Sequence, residues 1–531
     1  MRRVVVVADR VADAGLDLLR AEPELEVVPL AGEAERLPAE LERADALIVR
    51  SDTTVTEELI GLAPRLTVIA RAGVGVDNID VEAATRRGIA VLNAPGANTV
   101  SAAEHALALL MALVRRIPWA AHSMSAGEWN RKQFAGTELR GKTLGLVGLG
   151  RVGIHVATVA RAFGMKVIAH DPFLPEARAS ELRIELKPLE ELLSAADVVS
   201  LHVPLTDQTH RLMNRERLGM MKPTAVLVNT ARGGLVDDDA LVAAVEAGEL
   251  AGAALDVFEP EPLPAESPLR RTERILLTPH LAASTSEAQE RVASEICSNV
   301  RDALLEGTLR GAVNLPGVSS EVMARLGATL ELARRLGRLA VGIVRGRVQS
   351  VEVSYGGSDD AAPRPTMLAA VEGVLSAMGV DAVSLVNAAG RAEQRGMAIG
   401  RRVGHAISGF ETTIGVSVQT PERTVTVDGA MLGEHAGRIV RIDGFVVDVP
   451  AEGHVVVMRN RDVPGVVGRV GSLLGEAQIN IASYHQSRPD ESGNETLAAI
   501  VVAQALPEEV VEDMERLEDV LEVRSASLNG D

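Results

Sequence analysis

The sequence predicts an α/β protein of doubly wound parallel sheets, followed by an α+β region and a small terminal module. Three observations predict it. Short apolar strands alternate with amphipathic helices through roughly the first 280 residues, the pattern of parallel sheets covered by helices. One strand, beginning at Thr143, breaks into glycines spaced as GxGxxG. The last eighty or so residues instead read strand, helix, strand, strand, helix, strand. At 531 residues the chain exceeds what one core can hold, so several domains are expected.

Composition narrows the function. The formal net charge is −19 and no long Lys/Arg cluster occurs, which argues against nucleic acid or an anionic membrane as the main partner. The single cysteine, Cys297, can form no internal disulfide and offers no metal cluster, so a reducing, cytoplasmic setting and no metal are expected. Met1-Arg2-Arg3 leads into a valine run that meets Asp9 too soon for a secretory core. The most apolar helical stretch, Ala102 to Val114, holds Glu104 and His105 and is shorter than the roughly 20 residues of a span. It is expected to be a buried helix.

The first hundred residues supply strands at Val4–Val7, Leu25–Val28, Ala46–Val49, Leu66–Ala70 and Ile89–Leu92. Ligands bind at the carboxyl ends of such strands. Two of those ends carry chemistry: Arg50-Ser51, and Arg71-Ala72 followed by Gly73, Val74 and Gly75. They offer guanidinium groups and approachable backbone amides to an anionic substrate. Asn93-Ala94-Pro95-Gly96 then breaks the pattern as a hinge, and Asn98 or Thr99 caps the following helix. Trp129, one of two tryptophans, follows in a polar segment and packs either internally or against another subunit.

The stretch TLGLVGLGRVG is built for a pyrophosphate. Gly148 makes the tight turn, Gly150 lets the backbone approach the phosphates, and Gly153 lets the helix close on the strand. The helix from Arg151 to Phe163 aims its unbonded N–H groups at the anion. Asp171 stands 18 residues past Gly153, at the end of the next strand, where a carboxylate binds the adenosine ribose and repels a 2′-phosphate. The expected cofactor is NAD.

Farther on, each strand ends in something polar: His202, Asn229-Thr230-Ala231-Arg232, Asp256, and Thr278-Pro279-His280. Arg232, Glu261 and His280 follow successive strands, so a parallel sheet can bring them together. Arginine binds a carboxylate with two parallel hydrogen bonds. Histidine exchanges a proton with a hydroxyl as hydride leaves its carbon, and a glutamate holds the imidazole in one tautomer. A 2-hydroxy acid/2-oxo acid couple is the simplest substrate. His202 and His105 are expected to be structural.

The segments GLGRVG, HDP, LHVPLTDQTHRLM, NTARGG, DVFEPEP and TPHLAAST, spread from Thr143 to Ser284, resemble the D-isomer-specific 2-hydroxyacid dehydrogenases. That resemblance implies two flavodoxin/Rossmann-like lobes. It assigns Arg232 to the substrate carboxylate, Glu261 rather than Glu259 as the partner of the histidine, and His280 as acid/base. It implies cofactor contacts from Gly148, Gly150, Arg151, Val152, Gly153, Asp171, Thr230, Ala231, Arg232, Asp256, His280 and Ala283. Arg50, Gly73, Val74, Gly75 and Asn98 are expected to bind substrate, with Arg131 or Lys132 helping Arg50. The chain is expected to return to the first lobe through a helix at Thr285–Leu305.

Asn314-Leu315-Pro316-Gly317 closes this core, yet some two hundred residues follow. Residues 319–345 read as a helix with Arg334, Arg335 and Arg338 on one face. β-rich runs follow at Val348–Ser354, Thr412–Val418, Arg423–Val427 and Arg438–Val449, without a catalytic cluster. The tail, with Asn460-Arg461-Asp462-Val463-Pro464-Gly465, is similar to an ACT domain, a ferredoxin-like module that binds amino acids between paired copies. Asn460, Asp462 and Asn480 are its expected effector contacts. The expected domains are 1–97 with 284–316 for substrate, 98–283 for NAD, 317–452 intervening and regulatory, and 453–531 ACT. This order resembles the long, regulated family members that oxidise 3-phosphoglycerate with NAD, answer to L-serine and form homotetramers. Two other readings share parts of the pattern: a glyoxylate or hydroxypyruvate reductase, and an NADH-sensing binding protein of the co-repressor type.

Overall fold

The computed structural model describes residues 2–315, 320–403, 407–433, 436–488 and 494–529. The Pro316-Gly317 boundary proposed from sequence lies outside them. The chain divides into two compact units, one formed by residues 1–10, 16–93 and 296–531, the other by 11–15 and 94–295.

In the first unit, five strands form a sheet in the order Leu25–Pro29, Arg3–Val7, Ala46–Val49, Val68–Arg71, Ala90–Leu92. All pairs are parallel. Ala46–Val49 is buried along its whole length, as a strand covered on both faces must be. The chain comes back to this sheet after the helix Ser286–Glu306. Ala312 bridges Leu92. The Asn314 side chain accepts from Val91 N at 2.9 Å and donates to Thr85 Oγ1 and Ile89 O, each at 2.9 Å.

The second unit holds seven strands, ordered Ile275–Leu277, Gly252–Leu255, Val226–Asn229, Val198–Leu201, Thr143–Val147, Lys166–His170, Glu185–Leu186, all parallel. Their register decides the position of the site. Val147 stands opposite both His170 and Leu201, and Leu201, Asn229, Leu255 and Leu277 continue the same row. The residues that follow these six therefore emerge along one edge. The helix Thr99–Val114 buries Ala103, Ala106, Leu107 and Leu110 against this sheet and the helix Arg151–Ala162. Among the described residues no helix is long and apolar enough to cross a membrane.

The C-terminal half of the first unit is built differently. Six strands run Ala398–Val403, Ser350–Gly356, Thr413–Gln419, Thr424–Leu432, Ala436–Ile442, Phe445–Pro450, with only the first pair parallel. The run read from sequence as Arg438–Val449 is two strands, turned at Asp443-Gly444 with φ of 47° and 87°, the two-residue hairpin geometry that Asp-Gly favours. Two helices, Ser320–Gly342 and Pro363–Ala377, cross where each has a glycine. A Cβ on Gly337 would lie 2.1 Å from Ala370 O, and one on Gly373 would lie 2.0 Å from Arg334 O. The tail is an antiparallel sheet ordered Ile481–Ser487, Glu495–Val502, His454–Arg461, Val520–Ser527, with helices Val466–Glu476 and Glu508–Glu515 on one face. Its other face supplies Val455, Val457, Leu497 and Ala499 to the same apolar core that contains Leu336 and Val416. Burial thus continues across residue 452.

Candidate active site

The glycine-rich turn is shaped by sterics. Gly148 has φ of +94°, and a Cβ there would lie 2.6 Å from His202 O. A Cβ on Gly153 would lie 2.4 Å from Gly148 O, so only glycine lets the helix start this close to the strand end. Around Gly150 a Cβ would meet nothing within 4 Å, so the backbone there is open to a ligand. Arg151 and Val152 begin the helix, whose first N–H groups lack an intrahelical carbonyl. Asp171 accepts from Leu149 N at 2.9 Å and Phe173 N at 3.0 Å, which pins its carboxylate beside the turn. These residues fit the pyrophosphate and ribose of NAD. Thr230 is buried, and Ala231 and Ala283 are half-buried, on the same edge.

Arg232 follows the strand Val226–Asn229. Asn229 holds it in place, donating through Nδ2 to Arg232 O at 2.8 Å and accepting from Ala231 N at 3.0 Å. A Cβ on Gly233 would lie 2.0 Å from the Phe258 carbonyl carbon, so this loop runs directly against the one that carries Glu261. His280 Nδ1 is 2.7 Å from Glu261 Oε2. The other glutamate oxygen, Oε1, accepts from Phe258 N at 2.9 Å. Burial pushes the Glu261 carboxyl up, but the bonds from His280 and Phe258 outweigh it and the net shift is downward. An ionised acceptor places the proton of His280 on Nδ1 and leaves Nε2 as the base. Glu259 instead lies 3.5 Å from His210.

Two of the expected contact residues are buried. Asp256, read as a cofactor contact, is fully buried. Its Oδ1 accepts from Thr278 Oγ1 at 2.6 Å and Leu281 N at 2.8 Å and faces His105 Nε2 at 3.1 Å, while Oδ2 accepts from Ala282 N at 2.9 Å. It sits beneath the His280 turn. Burial raises its carboxyl pKa, yet these donors bring the net shift below the ordinary value. Asn460, read as an effector contact, is also fully buried: its Nδ2 donates to Arg461 O at 2.8 Å and its Oδ1 has no hydrogen-bond partner among the described residues. Its place is under the loop that follows. Asp462 is partly exposed and 2.6 Å from Arg488 Nε, and Asn480 is exposed just before its strand.

His202 bonds Ser200 Oγ at 2.9 Å through Nε2, and burial pushes its imidazole down to about 4, which keeps it neutral and structural. His105, expected to be structural, and Thr278, expected only as part of a polar strand end, both bond the Asp256 carboxylate beside the site. A histidine inside an apolar helix was the available signal.

The substrate-side residues lie in the other unit, except Asn98, which is at the start of the helix Thr99–Val114 without a side-chain cap bond. Buried Asp9 accepts from Arg50 N at 2.5 Å and from Thr53 Oγ1 at 2.5 Å, and Arg50 Nη1 donates to Arg10 O at 3.3 Å. In the loop Gly73–Gly75, Asn93 Nδ2 donates to Val74 O at 2.6 Å. A Cβ on Gly73 would lie 2.2 Å from Arg71 Nη1, so the guanidinium crosses this loop.

A strand-edge dinucleotide turn together with a paired histidine and glutamate defines an NAD-dependent oxidoreductase of 2-hydroxy acids. The family model of the D-isomer specific 2-hydroxyacid dehydrogenase NAD-binding domain matches residues 107–282. The D-3-phosphoglycerate dehydrogenase intervening domain matches 325–443, and the ACT domain 454–519. A D-3-phosphoglycerate dehydrogenase of Synechocystis is 41% identical over 99% of this chain and 94% of that protein. The Bacillus subtilis enzyme of that name is 39% identical, covering 99% of each. Among solved structures, D-lactate dehydrogenase from Aquifex aeolicus complexed with NAD and lactic acid is similar over 57% of this chain and 96% of that one, at 32% identity and a TM-score of 0.51. The chain belongs to the D-3-phosphoglycerate dehydrogenase family.

Proposed function

We propose that this chain oxidises D-3-phosphoglycerate to 3-phosphohydroxypyruvate, opening the phosphorylated route to L-serine. The observation that carries this reading is the 2.7 Å pair of His280 and Glu261 on the edge that also bears the dinucleotide turn, in a chain with full-length relatives of that activity. His280 Nε2 takes the proton of the substrate hydroxyl, and Glu261 stabilises the imidazolium that forms. Bound NAD supplies the hydride acceptor. Arg232 binds the substrate carboxylate with two parallel hydrogen bonds, helped by the amides of Gly73–Gly75. Arg50, with Arg131 or Lys132, meets the phosphate, and Asn98 lies near the substrate. In reduction the same histidine returns its proton.

The tail is proposed to bind L-serine through Asn460, Asp462, Asn480 and the backbone of the 461–465 loop. A cytoplasmic homotetramer is the proposed form. Trp129 is 74% exposed, with Ile117 and Met124 also exposed nearby in sequence, which suits a contact with another subunit. The test is the initial rate of NADH oxidation with 3-phosphohydroxypyruvate against hydroxypyruvate, each with and without millimolar L-serine. Preference for the phosphorylated acid, suppressed by serine, is expected. Preference for the unphosphorylated acid overturns the substrate assignment, and indifference to serine overturns the effector.

A further inference from the structure

His280 is held in a conformation that side chains other than glycine rarely adopt, with φ of 54°. Such a residue stays there only if its surroundings over-determine it. The surroundings here centre on one buried carboxylate residue, with Thr278 O also 3.1 Å from His280 N. Asp256 O accepts from His280 N at 2.9 Å, and its two carboxylate oxygens accept from the next two amides, Leu281 N and Ala282 N, at 2.8 and 2.9 Å. Asp256 in turn is fixed from below, by Thr278 Oγ1 at 2.6 Å and by His105 Nε2 at 3.1 Å from the same Oδ1. Asp256 cannot reorient without giving up several of these bonds.

His105 comes from a distant part of the chain, the middle of the helix Thr99–Val114, and its side chain is 20% exposed. Its Nε2 is also 3.2 Å from Thr278 Oγ1. The Thr278 hydroxyl gives its hydrogen to Asp256, so its oxygen can accept only from an imidazole N–H. Nε2 therefore carries the proton and is shared between the two acceptors. A buried carboxylate deprived of one donor seeks another or moves. Besides the Thr278 hydroxyl, the bonds described for the Asp256 carboxylate are those to the amides of Leu281 and Ala282, so the loss is passed on to the His280 turn.

We propose that His105 is a positioning residue for the proton-transfer step: through Asp256 it holds the 280–282 turn so that the imidazole of His280 stays on Glu261 and presents Nε2 outward. His105 touches neither substrate nor cofactor in this role. The inference rests on the dehydrogenase reading above and adds a residue to it.

The experiment uses the full chain with His105→Ala and His105→Gln, the glutamine amide being able to stand where Nε2 stands and donate to Asp256. Single-turnover hydride transfer is measured with substrate KM, alongside hydrogen exchange of the Leu281 and Ala282 amides. His105→Ala is expected to slow hydride transfer about 10- to 100-fold, the order seen when a reacting group is displaced by about 1 Å. KM should be little changed and the two amides should exchange faster. His105→Gln should restore most of the rate and the protection. If the alanine variant does not fold, His105→Asn, too short to reach Asp256, takes its place. A rate equal to wild type, an equal fall in both variants, or unchanged exchange at both amides overturns the proposal. A wild-type chain that turns over no 2-oxo acid overturns the proposed function instead, and the exchange measurement still decides whether His105 holds the turn.

Discussion

The nucleotide-binding sheet and the C-terminal half handle their polar groups in opposite ways. In the sheet of residues 143–277 the strands are nearly all apolar, and chemistry begins at the residue after each one, because a shared register brings those residues to one edge. In the C-terminal half, polar residues serve cohesion. Arg423 Nη1 meets Glu522 at 2.9 Å, and Arg459 Nη2 meets Asp443 at 2.8 Å while its guanidinium lies over the Phe445 ring. The same half shares one apolar core between the six-stranded sheet and the tail. A parallel sheet with all its strand ends on one edge gathers functional groups. A continuous core between a mostly antiparallel sheet and the tail instead makes a mechanical connection between the two.

That contrast can be broken first at its strongest point. His280→Ala is expected to lower the oxidation rate by about 10²- to 10⁴-fold, the usual contribution of a positioned acid/base. NADH affinity, followed by fluorescence titration, should stay near wild type. A variant that keeps most of its rate would remove the strand-end edge from the chemistry.

The same substitution made in both halves sharpens the contrast. Gly153→Ala places a Cβ 2.4 Å from Gly148 O and should weaken NAD binding. Gly337→Ala places one 2.1 Å from Ala370 O and should cost about 1–3 kcal/mol of stability, the usual result of overpacking. Its kcat per folded molecule should be unchanged. Calorimetry and cofactor titration on the pair decide it, and a Gly337→Ala variant with a catalytic defect would show the two halves to be less separate than described.

The smallest effect concerns pH. The folded-state pKa of Glu261 lies below its ordinary value of 4.5. Its ionised form therefore adds stability above that value, and the gain disappears as the pH falls through the lowered folded value. The difference in melting temperature between wild type and Glu261→Gln should shrink on acidification from pH 6 to pH 3, on the acid side of the ordinary carboxylate range. A gap that widens on acidification would contradict the hydrogen-bond geometry around His280.

What sequence alone determined is what local physics writes into short stretches. Strand positions follow from runs of buried aliphatics, the dinucleotide turn from its glycines, of which Gly148 and Gly153 have no room for a Cβ, and the expectation of NAD from a single carboxylate, Asp171. The Asp-Gly hairpin at 443–444 was equally local and could have been read. Tertiary structure decided everything that depends on pairing residues distant in the chain. Glu261 and Glu259 are two residues apart with the same chemistry, and only the loop geometry gives Glu261 to His280 and Glu259 to His210. Asp256 follows a strand end like the other site residues, yet its neighbours turn it inward, and Asn460 is likewise drawn beneath its loop. The sequence showed of His105 only a histidine inside an apolar helix, because a hydrogen bond to a residue 151 positions away exists only once the helix has packed on the sheet.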